Sequence, residues 1–164
     1  MHRRMLIAAP LAAPLAATRV SAQGVTLATE EYMLPTGDPG IEVFLRNKRP
    51  EETTRFTPAR TLLFVHGAYT AAWCWDENFL PWFAEQGYAA YAVSLSGHGA
   101  SRGRAYLDSF SIADYVADVA EVADKLPSPP VLIGHSMGGM VIQKYLEKFS
   151  VPGAVLMSSV PPQG

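Results

Sequence analysis

The sequence predicts an α/β fold with a mostly parallel sheet and helices on both faces. Short, continuous apolar runs alternate along the chain with longer segments whose apolar residues recur every three or four positions. Such alternation of strands and helices builds a parallel sheet that helices cover on both sides. The chain has 164 residues, of which 49% are hydrophobic and 17% charged. This composition fits one globular domain with a core of its own.

Six segments are expected to be strands. The first two, residues 31–34 and 41–46, flank the dense turn signal of residues 35–40. Thr61–Val65 is a short apolar run, typical of a strand that is covered on both faces. The other three strands are residues 88–95, residues 131–134 and Ala154–Met157.

Three segments are expected to be helices. Residues 76–86 carry apolar side chains at helical spacing and stop at Gly87. Ser111 can cap a second helix, which the proline-rich residues 127–130 end. The apolar side chains of this second helix form one face: Ile112, Tyr115, Val116, Val119, Val122, Ala123 and Leu126. The third helix covers residues 137–149.

Residues 1–22 are typical of a secretory signal peptide. Basic residues 2–4 precede an apolar run over residues 6–17, and small residues follow up to Ala22. The run is too short for a stable membrane span. Export to the periplasm or the medium is therefore predicted, and Arg3-Arg4 makes the twin-arginine route one candidate. A cytoplasmic protein with a mis-assigned start is the alternative. Residues 23–164 would then be the amino-terminal portion of a single domain.

Charge and cysteine content exclude several classes of function. The formal net charge is −2 and no long basic run occurs, so no nucleic-acid partner is expected. Cys74 is the single cysteine, which excludes an intrachain disulfide and a cysteine-based metal site. No metal or organic cofactor is implied.

The segment Gly-His-Ser-Met-Gly over residues 134–138 follows an apolar strand and precedes a helix. Gly134 and Gly138 permit a turn so tight that larger side chains would clash. The turn exposes the Ser136 hydroxyl above the sheet, and the first N–H groups of the helix favour negative charge there. The pattern predicts a nucleophile elbow with Ser136 as the nucleophile.

Two further loops follow strands at the same edge of the sheet. The first, residues 66–69, follows the strand Thr61–Val65, and the second, residues 96–101, follows the strand of residues 88–95. Hydrolysis through a serine needs two backbone donors for the oxyanion, and the N–H groups of Ala68 and Met137 are the candidates. Gly67 allows the first loop to approach closely. His66 and His98 are expected to support their loops, not to act as the base.

Together these motifs resemble the α/β-hydrolase fold superfamily. They are His-Gly-Ala-Tyr at 66–69, Trp-Cys-Trp at 73–75, Leu-Ser-Gly-His-Gly-x-Ser at 95–101 and Gly-His-Ser-Met-Gly-Gly at 134–139. They look most like the branch of lysophospholipase- and monoacylglycerol-lipase-like serine esterases, and residues 72–75 are also similar to plant methylesterases and hydroxynitrile lyases. The resemblance covers about residues 25–164. It implies hydrolysis of a small-molecule carboxylic ester through an acyl-enzyme on Ser136, without a cofactor.

In this fold the triad acid and then the histidine follow the serine along the chain. After Ser136 the only acid is Glu147, about three turns along the helix, and no histidine follows. The expectation is an α/β-hydrolase fold truncated after the sixth strand, with the triad acid and base not present and with little activity of its own. Ala154–Met157 would then be an apolar edge strand open to self-association.

Two alternatives to the esterase stay open. A hydroxynitrile-lyase-type carbon–carbon lyase would use the same serine in a proton relay. An inactive, truncated pseudohydrolase would instead serve as a binding module.

Overall fold

The structure is a computed structural model that describes residues 11–22 and 24–162. Its sheet contains seven strands: β1 (Ala16–Ala22), β2 (Val25–Pro35), β3 (Glu42–Pro50), β4 (Thr61–Val65), β5 (Ala89–Ser94), β6 (Val131–His135) and β7 (Ala154–Met157). In space they are ordered β1-β2-β3-β5-β4-β6-β7. Because β4 lies between β5 and β6, the loops after these three strands emerge side by side.

The sheet has an antiparallel part and a parallel part. Strands β1, β2 and β3 pair antiparallel, and β3 also pairs antiparallel with β5. From β5 onward the strands run parallel, as the alternation of strands and helices predicts. The polar, proline-containing turn between β2 and β3 is short, and a short turn joins only antiparallel neighbours. The sheet is therefore mixed, and its parallel half carries the loops of interest.

Four helices cover the two faces of the sheet: α1 (Trp73–Asp76), α2 (Phe79–Glu85), α3 (Ile112–Lys125) and α4 (Met137–Leu146). Two short 3-10 helices, Pro58–Arg60 and Arg104–Ser109, lie in the connections. One core contains side chains from α3 and α4, and the other contains side chains from α1 and α2. Helices on both faces confirm the predicted fold class.

The ends of several elements differ from the sequence-based prediction. The predicted helix over residues 76–86 is helical only over α2, because the backbone leaves helical geometry at Asn78, with φ −125° and ψ −51°. The short α1 ends at Asp76 and was not predicted. Helix α4 ends at Leu146, three residues before the predicted end. Ser111 caps α3 as predicted, and its hydroxyl accepts the N–H of Asp114.

Strand β1 was not predicted, because its residues belong to the segment typical of a signal peptide. Residues 1–10 of that segment lie outside the described residues. Residues 16–22 pair in register with β2 from Ala16 opposite Glu31 to Ala22 opposite Val25. Cleavage after Ala22 would remove this strand and leave β2 at the edge of the sheet. Export stays a prediction.

Strand β7 lies at the other end of the sheet and pairs with β6. Its apolar side chains are accessible, with Val155 and Leu156 exposed by 47% and 43%. Self-association through this strand stays a prediction. In the described part of the chain no helix combines the length and the apolar character needed to cross a membrane.

Candidate active site

Ser136 lies in the tight turn that joins β6 to α4. Its backbone has φ 53° and ψ −116°, a conformation that residues other than glycine rarely adopt. Backbone hydrogen bonds from neighbouring residues hold Ser136 in this strained conformation. The N–H of Ser136 donates to Met157 O at 3.0 Å, and its carbonyl accepts the N–H of Val160 at 3.1 Å. The segment that ends β7 thus fixes the backbone of Ser136 on both sides.

The glycines of this turn stand where no side chain fits. A Cβ on Gly134 would lie 2.6 Å from the carbonyl oxygen of Gly138. A Cβ on Gly138 would lie 2.5 Å from His66 O and would run into the carbonyl oxygen of Val65. These contacts are to backbone atoms, which cannot rotate away. The two glycines therefore let α4 start directly against the end of β4.

The loop after β4 approaches the elbow closely. A Cβ on Gly67 would lie 3.2 Å from the Cβ of Ser136, so only glycine gives this approach without displacing a neighbour. The carbonyl of Gly67 accepts a hydrogen bond from the Thr70 hydroxyl at 2.9 Å. Ala68 follows Gly67 and is exposed. Among residues 11–22 and 24–162, the N–H groups of Ala68 and Met137 have no hydrogen-bond partner.

His66 is fully buried below this loop. Its Nε2 accepts the N–H of Leu95 at 3.0 Å, and its Nδ1 lies 2.7 Å from Gly67 O. Burial lowers the pKa of His66 to about 4, and the neighbouring His98 acts in the same direction. The imidazole is therefore neutral near pH 7, and both of its nitrogens are occupied by the loops after β4 and β5.

The loop after β5 contains a buried polar cluster. His98 Nδ1 lies 3.0 Å from Ser96 O. The His98 ring packs between His66 and Tyr115, with ring centroids 5.0 Å and 5.6 Å away. Ser101 donates its hydroxyl to Ser94 O at 2.6 Å. This cluster joins the loop to β5, to α3 and to His66.

Asp118 of α3 is a member of this cluster that the sequence analysis missed. It is 3% exposed and accepts the N–H of Ser96 at 2.7 Å and the Ser96 hydroxyl at 2.8 Å. Burial raises the pKa of Asp118 to about 6, although the hydrogen bonds from Ser96 act to lower it. The sequence does contain a pattern that indicates a buried role for Asp118. Asp118 stands at helical spacing from Tyr115 and Val122, on the apolar face of α3, where an unpaired carboxylate is costly.

Among the residues that the structure describes, Ser136 has no acidic or basic side chain as a hydrogen-bond partner. In the described part of the chain no residue is hydrogen-bonded to its Oγ. Glu147, the only acid after Ser136, lies at the far end of α4 and pairs with Lys144 at 2.7 Å. The described residues also contain no group of three or more histidine, cysteine, aspartate or glutamate side chains that could hold a metal ion.

A family model described as the alpha/beta hydrolase family matches residues 62–164. The chain belongs to the alpha/beta hydrolase family. The matched segment of this alpha/beta hydrolase includes β4 from Leu62 onward, β5, the elbow and β7.

Individual relatives support the same family. Polyneuridine aldehyde esterase from Rauvolfia serpentina is 36% identical over 107 residues, which cover 61% of this chain and 39% of that protein. Methylesterase 1 from Arabidopsis thaliana is 31% identical over 106 residues, with the same coverage of 61% and 39%. Among solved structures, a thioesterase domain from the curacin biosynthetic pathway is similar with a TM-score of 0.68 and 29% identity, over 83% of this chain and 48% of that one. This alpha/beta hydrolase chain therefore spans less than half the length of each of these relatives.

Proposed function

We propose that Ser136 is the nucleophile of a serine hydrolase that cleaves small carboxylic esters. The observation that carries the proposal is the strained backbone of Ser136 between β6 and α4, held from both sides by hydrogen bonds. Strain kept at one residue by the surrounding structure is a mark of functional sites, and this turn lifts a serine hydroxyl above the sheet. The names of the relatives denote ester and thioester substrates.

In the proposed reaction Ser136 Oγ attacks the ester carbonyl and gives its proton to a base. The N–H groups of Ala68 and Met137 would stabilise the oxyanion that forms. Met137 is the first residue of α4, so its N–H has no partner inside the helix and lies where the helix dipole favours negative charge. Collapse of the tetrahedral intermediate would expel the alcohol, and water would then hydrolyse the acyl-enzyme.

The base and the acid are the part of the proposal that residues 11–22 and 24–162 do not supply. His66 is unsuited to be the base, because its Nε2 lone pair already accepts the N–H of Leu95 and burial lowers its pKa to about 4, so that it binds a proton only weakly near pH 7. Glu147 is paired with Lys144 far from the elbow. Because a serine hydroxyl without a base is a weak nucleophile, we expect residues 1–164 alone to turn esters over slowly. The triad acid and histidine would come from a longer polypeptide.

A fluorophosphonate probe tests the role of Ser136. In the full-length polypeptide we expect one covalent adduct per chain, located on Ser136 by peptide mass spectrometry, and no adduct in Ser136→Ala. Ser159→Ala is the matched control, because Ser159 lies in the segment beside the elbow but its hydroxyl is bonded to Gln143. Absence of labelling on Ser136, or an equal adduct in Ser136→Ala, would contradict the proposal.

The same protein should be assayed on aryl esters and on cyanohydrins. Release of phenol from the esters at a rate that Ser136→Ala abolishes supports the esterase. Cleavage of cyanohydrins alone would instead identify a hydroxynitrile-lyase-type reaction. Inertness toward both, with Ser136 unlabelled, is the result expected of a pseudohydrolase.

A further inference from the structure

The carbonyl group of Gly67 is held by two side chains. The Thr70 hydroxyl donates to it at 2.9 Å, and His66 Nδ1 lies 2.7 Å away. The N–H of Leu95 donates to His66 Nε2, so that nitrogen carries no proton in the neutral ring. Nδ1 therefore carries the proton and donates to Gly67 O. Two donors converge on one carbonyl oxygen.

These two hydrogen bonds to the carbonyl of Gly67 fix the direction of the N–H group of Ala68. A peptide unit is planar and trans, so the carbonyl of Gly67 and the N–H of Ala68 point in opposite directions. Holding the oxygen against His66 and Thr70 turns the N–H of Ala68 away from both of them. That N–H has no partner among the described residues, and Gly67 packs against Ser136.

The turn that brings Thr70 back to Gly67 is strained. Tyr69 has φ 61°, which is unusual for a residue other than glycine, and its side chain is 97% exposed. A side chain so exposed makes few contacts that could offset the strain. The Thr70 hydroxyl closes the turn, because it donates back to Gly67 O at 2.9 Å. Thr70 thus ties the strained loop to the Gly67 carbonyl.

We infer that Thr70 is a positioning residue, which orients the Gly67–Ala68 peptide so that the N–H of Ala68 faces the oxyanion. The inference rests on the proposed function for its effect on catalysis. The orientation of the peptide itself does not depend on that function. Thr70 does not touch the reacting atoms, and it acts through the carbonyl of Gly67.

The test compares Thr70→Val with Thr70→Ser. Valine has nearly the shape of threonine but no hydroxyl, whereas serine keeps the hydroxyl and loses only a methyl group. In the full-length polypeptide, Thr70→Val is expected to lower kcat for an aryl ester about fivefold to tenfold, the effect of losing one hydrogen bond, and to leave KM within about twofold. Thr70→Ser should retain most of kcat. Rates are expressed per serine labelled by the fluorophosphonate probe, so that unfolded protein does not contribute.

A second measurement reports the orientation of the Gly67–Ala68 peptide directly. In weakly aligned, ¹⁵N-labelled protein, the residual dipolar coupling of the Ala68 N–H should change in Thr70→Val and stay at the wild-type value in Thr70→Ser. An unchanged coupling in Thr70→Val, or equal loss of kcat in both variants, would overturn the inference. If Ser136 does not label in the wild-type protein, the proposed function fails, and the coupling of Ala68 still decides whether Thr70 orients the peptide.

Discussion

Gly138→Ala is expected to lower the free energy of unfolding by about 3 kcal/mol, and the variant should no longer label at Ser136. The added Cβ would lie 2.5 Å from His66 O and would run into Val65 O. Both atoms belong to the backbone at the end of β4, in the middle of the sheet. Relief therefore requires α4 to move away from β4. That movement also displaces Ser136 and the N–H of Met137.

Chemical denaturation followed by tryptophan fluorescence measures the change. Gly153→Ala is the matched control, because it adds the same methyl group before β7. There the new Cβ would lie 3.7 Å from a methyl carbon of Val131, an ordinary contact, and the backbone is outside the left-handed region. We expect Gly153→Ala to change the free energy of unfolding by less than about 1 kcal/mol and to keep the labelling. Equal stability of the two variants would refute the steric argument at Gly138.

The parallel half of the sheet could be predicted because its signals are local. Thr61–Val65 and Ala154–Met157 are strands with the predicted bounds, since each is a short apolar run between turn residues. The break between α1 and α2 could not be read in the same way. Trp75, Leu80 and Phe83 keep apolar spacing across the break and pack into one core. The sequence shows which side chains are apolar but not that the backbone turns between them.

The part of the candidate site that depends on a glycine-requiring turn could be predicted from the sequence. The contacts between side chains that are distant in the sequence could not be predicted. Gly134, Ser136 and Gly138 form a local pattern, and the structure places Gly134 near the end of β6, Ser136 in the strained turn and Gly138 in the first turn of α4. Asp118 meets Ser96 across 22 positions of the chain, and no motif records that contact. Thr70 was missed for another reason. A threonine in a loop can play many structural roles. Only the position of the Gly67 carbonyl shows that the Thr70 hydroxyl donates a hydrogen bond to it.

Asp118→Asn is expected to become more stable than the wild type as the pH rises from about 4 to about 6. Burial raises the pKa of Asp118 from its ordinary 3.8 to about 6, and repulsion from Asp114 and Asp38 acts in the same direction. Between these two pH values the folded protein holds the proton that the unfolded chain has released. Wild-type stability from this group therefore falls with rising pH, by about 3 kcal/mol when complete.

Asparagine has no proton to lose, and its carbonyl oxygen can still accept the N–H of Ser96. At pH 4, where the carboxyl group in the folded protein is protonated, the two proteins should differ by less than about 1 kcal/mol. At pH 7 the variant should be more stable by about 2 to 3 kcal/mol, because only the wild type then carries a buried charge. Urea denaturation at a series of pH values between 4 and 7 measures the difference.

Asp114→Asn on the same helix is the control with the opposite sign. Hydrogen bonds from the backbone N–H and the hydroxyl of Ser111 lower the pKa of Asp114, so its charged form stabilises the folded protein. That stabilisation is present above about pH 4 and is lost as the pH falls through the lowered pKa. Asp114→Asn should therefore be less stable than the wild type at pH 7, whereas Asp118→Asn should be more stable. If Asp118→Asn instead follows the wild-type pH dependence between 4 and 6, the carboxyl group of Asp118 is already charged across that range, and its hydrogen bonds from Ser96 outweigh the cost of burial.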